Sequence, residues 1–131
     1  MIKNGQIRYL QDIKKYTPPD HTGTTNARLI EKTFCENFEM IHGTIEPGCG
    51  AHRHSHDVHS QVCYVLEGEM DVSFDDKSPI RCGPGAVVEI PPKVEHLIIN
   101  SGEKPLKILV IYSPPLPPRG CLLYTSPSPR D

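Results

Sequence analysis

Within residues 48–68, GCGAHRHSHDVHSQVCYVLEG, the histidines His52, His54 and His56 alternate, and Gln61 opens the apolar run that follows. Downstream, residues 85–100 read GAVVEIPPKVEHLIIN and place His96 after the pair Pro91-Pro92. Alternate residues of an extended strand project to one face, so the three clustered imidazoles are predicted to share a side, with Arg53 and Ser55 opposite. Three imidazoles make a poor core, whereas a lone histidine on an apolar strand is usually a satisfied core residue. An antiparallel return can bring Gln61 back toward them, with Cys63 and Val65 on the same inward face. The pattern predicts a metal held by His54, His56, Gln61 and His96. Imidazole suits Zn, Fe, Ni and Cu and the amide oxygen is a harder donor, so one divalent transition metal (Mn, Fe, Ni or Zn) is the expected cofactor. The acid or base of any catalysis is not identified by spacing. His59 at the rim of the site and His52 beside the ligands are the candidates for such a role, while His21 and His42 have no spacing that ties them to it.

The elements that must position these residues are short. Fourteen prolines and ten glycines punctuate the chain, helix signals are scarce, and β-branched and aromatic runs recur between turns, which predicts an all-β domain. Strands are expected over 27–34, 38–45, 60–66, 69–74, 86–90, 96–100 and 107–112. In Met70, Val72 and Phe74 the apolar side chains alternate with Asp71 and Ser73, the period of a strand with one wet and one dry face. Gly83-Pro84-Gly85 and Pro47-Gly48 supply turns, and Pro91-Pro92, unable to donate to a ladder, ends one strand and leads into the next. On that next strand His96, Ile98 and Asn100 share a face. Residues 17–26 read as a mobile loop, and 6–16 as a short strand followed by one helical turn at Asp12.

At 131 residues with a net charge of −2, the chain suffices for one domain. Its longest basic run is Lys14-Lys15, which gives a phosphate backbone little to bind and argues against nucleic acid as a partner. No apolar stretch approaches the roughly 18 residues of a membrane span and the N-terminus lacks a leader pattern, so a cytoplasmic protein with no membrane partner is expected. Five irregularly spaced cysteines are expected to be reduced thiols. The last eleven residues, CLLYTSPSPRD, resemble one translated frame of an adapter used in transposase-based sequencing libraries. Residues 121–131 are therefore read as non-native read-through and kept out of fold reasoning, with the native chain expected to run on past Gly120.

The two segments resemble the paired motifs of the cupin superfamily: a Gly, five residues, H-x-H, three or four residues, a carboxylate or amide, six residues and a Gly; then a Gly, five residues, P-x-G, two residues, a His, three residues and an Asn. Gly48, His54, His56, Gln61 and Gly68 meet the first, and Gly85, Pro91, His96 and Asn100 the second. Gln61 stands where many cupins carry Glu, and Lys93 where the second motif carries Gly. The resemblance implies a single-domain cupin β-barrel, or jelly roll, with the metal inside it and a homodimer as the assembly. Residues 35–115 would form the barrel, 1–34 would add strands and a loop at its edge, and 116–120 would be a Pro-rich end.

With His59, Tyr64 and Val65, the first segment is also similar to the small cupins of pectin and alginate breakdown, which linearise unsaturated uronates and use three His and a Gln. Val110 occupies the approximate position of an Asp that this group carries, and Arg119 could match a later basic residue. Four neutral ligands leave the ion its full charge and, on an octahedral ion, two open positions, which favours an anionic guest. The expected function is that of a metal-dependent isomerase or lyase acting on a small anionic metabolite such as a sugar acid. An Fe(II)-dependent dioxygenase and a non-catalytic cupin that binds a small ligand are the alternatives. Glu89, Glu95 and Tyr64 are left open between cavity and solvent.

Overall fold

The chain's structure, a computed structural model, describes residues 4–19 and 21–117; the adapter-like segment and Arg119 lie outside the described residues. Among the described residues nine strands follow a 3-10 turn at Leu10–Asp12: β1 Lys15–Tyr16, β2 Thr24–Ile30, β3 Glu39–Ile45, β4 Ser60–Glu67, β5 Met70–Phe74, β6 Ile80–Cys82, β7 Val87–Ile90, β8 His96–Asn100 and β9 Leu106–Ser113. They form a six-stranded sheet in the order β1-β2-β3-β9-β4-β7 and a three-stranded sheet in the order β6-β5-β8. Among the described residues, the paired strands all run antiparallel. This is the all-β jelly-roll architecture that the resemblance implies.

The period-two pattern explains how the sheets close on one another. In β9, Leu106, Ile108, Val110 and Tyr112 are buried and alternate with partly exposed residues. Their partners across β3 and β4 are buried in the same register: Ile41 and Cys63 flank Val110, and Gln61 lies opposite Tyr112. From the smaller sheet come Met70, Val72 and Ile98. A one-residue slip in β9 would send this whole set into water, so burial fixes the register. Because Gln61 and His96 share those inward faces, the dry core and the polar site occupy the same barrel.

Several expectations about the elements differ from the structure; the strand expected over 27–34 ends at Ile30, and 32–34 form a turn. The short strand β1 follows the helical turn at Leu10–Asp12 instead of preceding it, because Lys15 and Tyr16 pair with Ala27 and Asn26 of β2. The expected loop over 17–26 is shorter, since β2 begins at Thr24 and buries Thr24 and Asn26. The strand β6 was missed, three residues with none fully buried and so without a readable period.

Two backbone positions explain the turns that carry the site. Gly50 lies so near β8 that a Cβ there would stand 2.2 Å from the Ile98 carbonyl oxygen, a contact only glycine avoids. Lys93, in the place of the motif glycine, adopts φ +72°, the left-handed conformation that glycine takes freely and other residues take at a cost. The turn therefore keeps the glycine geometry with a side chain in place, and its amide donates to the His56 carbonyl at 2.6 Å.

Candidate metal centre

His54 and His96 come together through their backbones before their rings meet. The His54 amide donates to the His96 carbonyl at 3.1 Å and the His96 amide donates back at 2.8 Å, an isolated antiparallel bridge between the two motifs. Residues 52–59 are otherwise irregular, so the single strand face predicted for His52, His54 and His56 does not form. Burial nonetheless alternates there: His54 and His56 are buried while His52, Arg53 and Ser55 are exposed. Outside, Arg53 donates to the Asp75 carbonyl and lies 3.8 Å from a Glu95 carboxylate oxygen, tying the loop to the rim.

Ligating nitrogens of His54, His56 and His96 all lie within 4.8 Å of one another. The ring centroids of His54 and His96 are 4.5 Å apart, and those of His54 and His56 5.1 Å. Two of the rings are oriented by carbonyls. His54 Nδ1 is 2.7 Å from the His52 carbonyl oxygen and His96 Nδ1 3.1 Å from that of Val94. A carbonyl can only accept, so each Nδ1 carries the proton and each Nε2 keeps its lone pair for a ligand. His52 thus acts on the site through its backbone. His56 is held edge-on by Tyr112, centroids 5.4 Å apart.

Burial is the largest influence on His96, holding its pKa well down at about 4; nearby His54 pushes the same way, and the hydrogen bond to Val94 opposes both. The ring is therefore neutral at physiological pH, as a metal ligand must be.

Gln61 is buried on the inward face of β4. Its Nε2 donates to Cys63 Sγ at 3.5 Å, which turns Oε1 away from the sulfur. Oε1 of Gln61 and Nε2 of His96 are buried and without a hydrogen-bond partner among the described residues. Stranding such acceptors in a protein interior costs about 1–3 kcal/mol each, a cost that a cation removes. The residues therefore fit a metal. Among the described residues the clustered ligands include no carboxylate.

A cavity of about 30 Å³ adjoins these groups, lined by His54, Gln61 and His96, by Cys63, and by the aliphatic side chains Ile45, Ile98, Ile108 and Val110. His21 also lines it, and nothing in the sequence pattern tied His21 to the site. Glu89, Glu95 and Tyr64, left open by the sequence, are all exposed. His59 is partly exposed, its ring 6.0 Å from that of His56.

A family model described as the cupin domain matches residues 41–112, more than half of the chain, and the chain belongs to the cupin family. The uncharacterized protein MJ1618 of Methanocaldococcus jannaschii is 37% identical over 62 residues, 47% of this chain and 49% of that protein; the chain spans about half the length of the curated relative it matches. Among solved structures it is similar to the polyketide cyclase RemF of Streptomyces resistomycificus, with TM-score 0.75 and 24% identity over 90% of this chain and 83% of that one. It is also similar to KdgF of Halomonas sp., with TM-score 0.73 and 17% identity over 85% and 94% of the two chains. At these identities the likeness is one of fold.

Proposed function

We propose that this cupin holds one divalent transition metal on His54, His56, His96 and Gln61 and isomerises or eliminates on a small anionic metabolite, a sugar acid. The observation that carries the reading is the donor set: three buried imidazoles and a buried amide oxygen, with no carboxylate in the cluster among the described residues. Neutral donors leave a bound divalent ion its full charge inside a low-dielectric barrel, where it would act as a Lewis acid toward an anion. The similarity of residues 48–68 to the uronate-linearising cupins supports the choice of sugar acid. A dioxygenase of the two-His, one-carboxylate kind draws on a carboxylate that this cluster lacks.

The chain's own residues limit how such a guest is held. A cavity of about 30 Å³ is far below the roughly 300–1,000 Å³ of pockets that enclose drug-sized ligands. The guest would present its oxygens to the centre and keep its body at the rim. His56 marks that rim, because its neighbour His59 is partly exposed. Val110, at the approximate position where the uronate group has an acid, is buried on the cavity wall; His59, partly exposed beside His56, is the rim candidate to move a proton.

The test uses protein ending at Gly120, loaded in turn with Mn²⁺, Ni²⁺ and Zn²⁺ and incubated with unsaturated galacturonate. Loss of the unsaturated acid's ultraviolet absorbance with at least one metal, abolished in His54→Ala, is expected. Flat traces with all three would overturn the reading.

A further inference from the structure

The cavity beside the candidate centre has an asymmetric wall. Aliphatic side chains make up much of it, yet His21, from the segment before β2, opens onto the same space as His54, Gln61 and His96. Its position is fixed by backbone on both sides. His21 bridges to Ala51, the Thr22 amide donates to the Gly50 carbonyl at 3.0 Å, and Gly50 bridges in turn to Ile99 of β8. The Thr22 hydroxyl adds contacts of 3.3 Å to both the amide and the carbonyl of Gly50. Three chain segments are thus laced together beneath the histidine. His21 is not among the three histidines whose ligating nitrogens cluster within 4.8 Å, so it addresses the cavity and not the ion.

We propose that His21 and the metal face form a subsite for one small anion or water bound to the ion, with the His21 ring hydrogen-bonding to that ligand. This rests on the metal reading above. The volume of about 30 Å³ admits a water or a triatomic anion and little more. The walls are largely aliphatic, so a hydrogen bond made there is stronger than one in water. The subsite would hold the reactive end of a guest, one carboxylate or one hydroxyl, while the remainder stays at the rim.

Azide is the probe, titrated into the cobalt(II)-loaded protein and followed by the visible absorption of the cobalt. Wild type, His21→Ala and His21→Gln are expected to take up the same stoichiometric cobalt. Azide affinity should fall about ten-fold in His21→Ala, the size of effect a charge-assisted hydrogen bond gives, and His21→Gln, which keeps a donor, should recover much of it. Equal or higher affinity in His21→Ala at full cobalt loading would overturn the subsite while leaving the metal reading intact. If wild type bound no cobalt, the metal reading and the subsite would both be overturned.

Discussion

Gln61 has its two amide atoms in different company: Nε2 meets the Cys63 sulfur and Oε1 is left without a hydrogen-bond partner among the described residues. Cys63 is therefore a positioning residue for the amide oxygen. In Cys63→Ala the amide loses that restraint, and metal affinity measured by competition with a chromophoric chelator should fall about ten-fold, the low end of the effect of losing a ligand's orienting partner. Cys63→Ser, which restores an acceptor, should recover part of it. His96 yields a second expectation, for the metal-stripped protein. Its pKa is near 4 in the fold against about 6.5 in an unfolded chain, so between those values the unfolded chain binds more protons and stability falls with acidification. The urea midpoint of the stripped protein should hold above pH 6.5 and drop steadily toward pH 4; a flat profile across that window would contradict it. At this scale the candidate ligands were legible in the sequence because their types and offsets are unusual. His21 was not, since its approach to the cavity depends on long-range pairing with Ala51 that no local spacing encodes.

Turns and strand ends set the next level. Asn100 closes β8 with a full set of bonds: Nδ2 donates to the carbonyls of Ile45 and Lys104, both at 2.8 Å, and Oδ1 accepts from the Gly102 amide at 2.9 Å. Asn100→Ala would strand these backbone groups. A loss of about 2–4 kcal/mol in chemical denaturation is expected, with Asn100→Asp, which sets a buried carboxylate oxygen against those two carbonyls, costing at least as much. At Lys93 the left-handed φ predicts a loss of about 1–2 kcal/mol for Lys93→Val, whose β-branched side chain is least suited to it, and little or no loss for Lys93→Gly. The sequence showed that this turn departs from the motif but not that the backbone would keep the glycine conformation. Strand β8 was legible to the residue, His96–Asn100, since a proline pair precedes it and its burial alternates. The two-residue β1 and three-residue β6 are too short to show a period, and are held by partners distant in sequence.

At the level of the whole molecule the core and the site are continuous. Gln61, Cys63 and Val65 lie on one buried face of β4, and aliphatic residues of β9 line the cavity that the ligands share. Metal binding should therefore register as global stability. At a free ion concentration about 1,000 times the dissociation constant, occupancy adds about 4 kcal/mol, and stripping with a chelator should lower the melting temperature by several degrees. No change in calorimetry on adding back any divalent transition ion would argue against the centre. Among the described residues, no helix is long and apolar enough to cross a membrane. The all-β architecture could be read from turn density and period-two burial. Which strands are neighbours could not, because β3, β9 and β4 pair out of chain order.

The reciprocal bonds between His54 and His96 turn the site into its own reporter. Each amide proton is held by the other residue's carbonyl, so both can exchange with solvent only when the two segments part. An ion gripping both rings would act as a removable cross-link spanning the loop between them, suppressing that parting as a covalent bridge would. Deuterium uptake at these two backbone positions then measures how often the link opens, with no substrate in hand.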